Sequence, residues 1–227
     1  MKRLALALVL LVAPAAGAHE AHPGDAHGAA EAAHEAPAEA PLFEPPAPGS
    51  YELPAIDRVR EHVLLDEQGL PARLPALAPG QVAVVSFVYA SCPEAHGCPL
   101  ALATVQRLDR ALARRPALAA RVSLVTVSFD PARDTPARMA ELRERMAPAT
   151  AWRFLTASDA AALAPVLEDY GQRVVALVDA EGADTGLLLH VLKVFLLDDS
   201  LRIRNVYSAG LLDARLLVND VETVLAE

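Results

Sequence analysis

Residues 82–89 read VAVVSFVY, a nearly continuous apolar run rich in β-branched side chains. A run of that length without polar alternation predicts a strand buried on both faces, as in a parallel sheet covered by helices. A second run of the same kind occupies residues 122–129. Between them, residues 99–114 place apolar side chains at 101, 105, 108 and 112, one stripe of an α-helix, and Pro116 is expected to stop it. Strand, helix and strand in that order make a parallel crossover and commit the chain to the α/β class.

The flanking segments extend this pattern. Residues 61–66 and 70–74 flank Gln68-Gly69 and read as a short hairpin. Asp134-Thr135-Pro136 opens a helix with a capping oxygen and a proline in the first turn. That helix sends Met139, Leu142 and Met146 inward and sets Glu141 four residues before Arg145 outside. Residues 152–155 form a short strand with Trp152 in the core, and Ser158 is expected to cap a helix ending near Gly171. Pro165 within it predicts a kink or a broken first half. Residues 174–179 and 187–197 are expected to pair antiparallel across the loop at 182–186. Asp198-Asp199-Ser200 then turns into a strand over 201–207. A last amphipathic helix from Asp213 presents Leu216, Leu217, Val221, Val224 and Leu225. A crossover unit, a strand pair and a final helix make a thioredoxin-like order: one domain over 51–227, with a central mixed sheet flanked by helices.

The first 50 residues have a different character. Lys2 and Arg3 precede an apolar run over 4–16, and Ala16-Gly17-Ala18 supplies a small-residue cleavage site. This is the pattern of a signal peptide over 1–18, and the run is shorter than the roughly 20 residues of a spanning helix. The mature chain is therefore expected to be exported, soluble and not membrane-spanning. Loss of Lys2 and Arg3 takes the formal charge from −9 to −11, which argues against a nucleic-acid partner. Residues 19–50 are rich in Ala, Pro, Glu and His, lack a core-forming pattern, and are expected to be a disordered tail. His19, His22, His27 and His34 lie close together there. Two readings of them stand: imidazoles that bind a late transition metal, or a solvated spacer.

The two cysteines fall where such a fold carries chemistry. Cys92 follows the first buried strand, and Cys98 precedes Pro99 at the start of a helix. A helix N-terminus favours negative charge, so the nearby thiol is expected to have a lowered pKa and to favour thiolate. Thiolate is both the redox nucleophile and the soft ligand that selects Cu(I). Five residues separate the pair, with Gly97 available for a tight bend. The cysteines could close a disulfide or grip one ion; structural bridges of exported proteins usually close longer loops.

The stretch Ser86-Phe87-Val88-Tyr89-Ala90-Ser91-Cys92-Pro93, ending in Gly97-Cys98-Pro99-Leu100, resembles the copper-site loop of the Sco/SenC family. Residues 127–136, VSFDPARDTP, resemble that family's second motif. His190, followed by Phe195-Leu196-Leu197-Asp198, is similar in spacing to the family's single histidine ligand before a strand. Together these matches span roughly residues 52–226. The resemblance implies a periplasmic or inner-membrane-associated copper chaperone, rather than an enzyme, that helps mature the dinuclear copper site of cytochrome c oxidase. It implies Cys92, Cys98 and His190 as ligands of Cu(I), Cu(II) or both, the copper-site subunit as recipient, and a periplasmic copper donor. The chain departs from the family in two respects: no transmembrane anchor is apparent, and five residues, Pro93-Glu94-Ala95-His96-Gly97, stand between the cysteines where the family has three. The longer loop brings in His96, either as a solvent-facing residue or as an accessory ligand.

A second function class uses the same residues. Cys92 and Cys98 could be the redox pair of a thiol–disulfide reductase that keeps oxidase cysteines reduced. Thioredoxin-type reductases place a cis-proline before the penultimate strand, against the active cysteines. This chain has Leu187-Leu188-Leu189-His190 there, which favours copper. His62 is expected to be structural or exposed. Asp130 and Asp134 are expected to form a turn and cap a helix, or else to tune the site from outside the ligand set. No nucleophile–base–acid triad and no phosphate-binding loop is evident.

Overall fold

The computed structural model describes residues 43–227. The segment read as a signal peptide and the four tail histidines lie outside the described residues. The chain forms β1 (Asp57–Arg58), β2 (His62–Leu65), β3 (Pro71–Leu74), β4 (Val82–Val88), α1 (Cys98–Ala113), α2 (Pro116–Ala119), β5 (Val122–Ser128), α3 (Pro136–Met146) and β6 (Trp152–Leu155). It continues with α4 (Ala160–Asp169), β7 (Val174–Val178), β8 (Asp184–His190), β9 (Val194–Leu197), β10 (Arg202–Tyr207) and α5 (Ala214–Ala226). A six-stranded mixed sheet runs in the order β1-β10-β9-β4-β5-β6, and β2-β3 and β7-β8 are separate two-stranded ribbons. The fold is thioredoxin-like.

The two apolar runs lie side by side. β4 and β5 pair in parallel with Val82 opposite Val122 and Val88 opposite Ser128. Every residue of β4 is buried. Two polar side chains mark the register inside this core. Ser86 Oγ lies 2.8 Å from Thr126 Oγ1, and Trp152 Nε1 donates to that same oxygen at 2.9 Å. Buried hydroxyls satisfied only across aligned strands oppose a slip of register. The α1 stripe Ala101, Val105, Leu108 and Leu112 is buried, and α1 packs on β4 and α5. Pro116 ends α1 and also opens α2.

Several local expectations change in the structure. Thr135, not Asp134, caps α3 by accepting from Arg138 N, and Glu141 pairs with Arg138 rather than Arg145. Asp159, not Ser158, caps α4 through Ala162 N at 2.8 Å. α4 runs unbroken through Pro165. The apolar run 187–197 is two strands in two sheets. β8 pairs with β7, whereas β9 enters the main sheet between β4 and β10. Gln172 Nε2 bonded to Val191 O and Lys193 Nζ bonded to Gly171 O hold the link between β8 and β9 to the end of α4. Residues 43–50, assigned to the tail by composition, lie against α5: Gly49 N donates to Thr223 Oγ1 at 2.9 Å and Asn219 Nδ2 to Pro46 O at 2.8 Å.

Candidate metal centre

Sheet topology brings three distant residues to one place. β4 and β5 are parallel, so the loops after them leave from the same end of the sheet. β9 is antiparallel to β4 with Val194 opposite Ser86, so the segment that enters β9 arrives at that end too. Loops at the carboxyl ends of sheet strands are the usual place for a site in this class. Cys92 comes from the β4–α1 loop, Cys98 is the first residue of α1, and His190 is the last of β8. Their ligand atoms all lie within 4.8 Å of one another.

The long cysteine loop makes this convergence through two tight turns. Cys92 N donates to Tyr89 O at 3.2 Å and Gly97 N to Glu94 O at 3.0 Å. Residues 93–96 stand in solvent, while Gly97 and Cys98 are buried. A side-chain carbon on Gly97 would come within 3.3 Å of both Glu94 Cβ and Glu94 O, tighter than ordinary contact. Close approach favours glycine there. Both extra residues are thus absorbed by an outward turn. His96 is exposed in it and does not join the three converging residues.

His190 Nε2 lies 3.7 Å from Cys98 Sγ. The imidazole packs against two aromatic rings, Phe129 at 4.6 Å and Tyr89 at 6.0 Å between centroids, and these two rings lie 5.4 Å apart, so the three form one cluster. Tyr89 and Phe129 follow β4 and β5 at matching positions, with Phe129 N bonded to Val88 O. Neither aromatic was singled out from the sequence, although each closes an apolar run at the same register.

Electrostatics differ from the expectation at the helix N-terminus. Burial pushes the Cys98 thiol well above the ordinary range, and the Tyr89 N–H pointing at its sulfur at 3.4 Å offsets this only in part. Desolvation outweighs the helix dipole because the sulfur is shut off from water. The Tyr89 hydroxyl is raised to about 12, first by burial and then by the Cys92 thiol. Burial lowers the pKa of His190, keeping its imidazole neutral and able to donate a lone pair. Its Nδ1 is buried without a hydrogen-bond partner. Two thiols and a neutral imidazole, closely grouped and walled by aromatics, suit a soft, low-coordinate ion.

Of the second motif's two aspartates, Asp134 holds the cysteine loop directly. Buried Asp134 accepts from Ala90 N at 2.9 Å, two residues before Cys92, and from Ser128 Oγ at 2.6 Å. Burial raises its pKa against those bonds. Asp130 N donates to the same Ser128 hydroxyl at 3.0 Å. His62 lies elsewhere, bonded through Nε2 to Asp169 at 2.7 Å, and its role is structural. Among the described residues no helix is long and apolar enough to cross a membrane.

Comparison with known proteins agrees with this arrangement. A family model described as SCO1/SenC matches residues 54–226. Similar solved structures include ScoI of Bradyrhizobium japonicum with copper bound: 23% identity, 72% of this chain and 97% of that one covered, TM-score 0.58. Apo Sco1 of Thermus thermophilus is 24% identical, with 78% and 95% covered and a TM-score of 0.61. BsSco, a member of the Sco family of cytochrome c oxidase assembly proteins with an identified disulfide switch, is 18% identical, with 77% and 98% covered and a TM-score of 0.58. At these identities the structural likeness speaks for the fold. A search of curated protein sequences found no match.

Proposed function

The chain belongs to the SCO1/SenC family, and from that membership we propose that it is a periplasmic copper carrier. It holds one copper ion through Cys92, Cys98 and His190 and passes it to the dinuclear copper site of cytochrome c oxidase. The observation that carries this reading is the convergence of the three donors within 4.8 Å. Two soft thiolates and an imidazole favour Cu(I) over hard cations. The raised pKa of Cys98 means that the metal-free thiol is protonated at neutral pH, so binding releases that proton. Exported by residues 1–18, the protein takes its ion from a periplasmic donor and gives it to the oxidase's copper-site subunit.

The test is a competition titration against a chromophoric Cu(I) chelator. Reduced protein is expected to take up one Cu(I), and oxidised protein none, because a disulfide removes both sulfur donors. Equal uptake by the two forms would defeat the proposal.

A reductase reading draws on one observation: Cys92 is partly exposed while Cys98 is buried. The Cys92 thiolate would attack a partner disulfide, displacing one partner thiolate and forming a mixed disulfide. Cys98 would then displace the second partner thiolate as the Cys92–Cys98 disulfide forms. Rapid reduction of a disulfide peptide by protein that takes up no copper would favour it.

A further inference from the structure

β8 alternates strictly. Gly186, Leu188 and His190 are half-buried, whereas Leu187 and Leu189 are exposed. Its inner row therefore touches the body of the protein at successive points. His190 meets Phe129, and Leu188 packs on the core. Gly186 faces Arg133: a side-chain carbon on Gly186 would stand 3.5 Å from Arg133 Nη1. Arg133 donates from Nε to buried Asp130 at 2.6 Å and from Nη1 to Asp184 Oδ2 at 3.1 Å. The other oxygen of Asp184 accepts from Gly186 N at 2.9 Å, closing the start of β8 onto the guanidinium.

We propose that Arg133 is a positioning residue for His190, clamping the far end of the β7–β8 ribbon to the loop after β5, whose Asp134 in turn holds the cysteine loop. The inference rests on the copper reading above. A strand resting on the protein at one end can pivot there, and a second attachment sets its angle. His190 is six residues from Asp184, about 20 Å along an extended strand. Small rotations of the ribbon about its base turn the imidazole relative to the thiols, and an attachment that far from the pivot resists them with a long lever arm. The hydrogen bonds run without interruption from Ala90 through Asp134, Ser128, Asp130 and Arg133 to Asp184. One polar chain thus joins the element bearing the sulfurs to the element bearing the nitrogen. Its links differ in strength. Asp130 is buried, so its bond to Arg133 is shielded, whereas Asp184 is 57% exposed and its pair is weak and salt-screened.

The experiment compares Arg133→Ala and Asp184→Asn with wild type, each also in a His190→Ala background. Asp184→Asn keeps an oxygen for Gly186 N while removing the charge that holds Arg133. Hydrogen exchange of metal-free protein is expected to show faster exchange in β8 in both variants and no change in β4. In chelator competition, Cu(I) affinity is expected to fall about tenfold in Arg133→Ala, the scale of changes just outside a ligand set. In the His190→Ala background the same changes are expected to have no further effect, because the clamp acts through that imidazole. Unchanged β8 exchange, or an equal affinity loss with and without His190, would overturn the proposal. If Arg133→Ala fails to fold, Asp184→Asn gives readings of the same direction and smaller size, since its pair is exposed. Wild-type protein that takes up no Cu(I) defeats the copper reading instead, and exchange in β8 still decides the clamp.

Discussion

The main sheet and the β7–β8 ribbon each supply part of one site, yet they are built on opposite principles. β4 and β5 are apolar, nearly fully buried and paired on both edges. The ribbon has two strands, pairs with nothing else, and turns Val175 and Leu189 outward opposite each other at 56% and 61% exposure. The sulfur donors thus follow the most buried strand, and the nitrogen donor stands on one of the least buried. An element with few buried contacts opens at low free-energy cost, without unfolding the rest. A carrier that must both hold and surrender an ion gains a ligand that can depart while two remain.

The contrast can be broken most directly by truncating each region. Phe87→Ala in β4 is expected to cost about 3–5 kcal/mol, for lost burial and a cavity packed by Tyr170 and Phe195. Leu189→Ala on the ribbon's outer row should change stability by no more than about 0.5 kcal/mol. Urea denaturation of both measures the difference, and similar losses would mean that the ribbon belongs to the cooperative core.

A smaller difference is expected in metal affinity. Cys92→Ser and Cys98→Ser remove soft donors fixed to the sheet and should each weaken Cu(I) uptake more than His190→Ala does. All three should leave the urea midpoint nearer wild type than Phe87→Ala. If His190→Ala weakens uptake as much as a cysteine change, the imidazole is not the more readily released ligand.

The effect expected to leave the metal site untouched concerns neither region and sharpens the comparison as a control. Arg60 and His62 hold the carboxylate of Asp169 at the end of α4, and Arg60 is the chief cause that lowers its pKa to about 2. A carboxylate with a lowered folded pKa contributes stability that is complete above its unfolded value, about 3.9. That contribution fades as pH falls towards 2. Because Arg60 stands largely in solvent, it should amount to about 1 kcal/mol. Asp169→Asn is expected to lower stability by that amount at neutral pH, to lose its effect in acid, and to leave Cu(I) affinity unchanged. Denaturation at several pH values together with one titration checks all three.

The sequence by itself determined the elements whose signal is local. Residues 82–89 and 122–129 announce buried strands because every position is apolar or small. The α1 stripe is visible because 3.6-residue spacing needs no partner. The cysteine loop and the 127–136 motif could be recognised because their residue order is distinctive, and His190 could be placed with them by its spacing before a strand. Tertiary structure alone decided what depends on neighbours from elsewhere in the chain. The run 187–197 divides between two sheets, since an apolar stretch says nothing about which strands it will pair with. Cys98 has a raised pKa, since the packing that buries its sulfur is supplied by segments far along the chain. Tyr89 and Phe129 pack against His190 because parallel pairing sets two strand ends side by side. Arg133 reaches Asp184 across 51 residues, a distance at which only the fold can make two opposite charges neighbours.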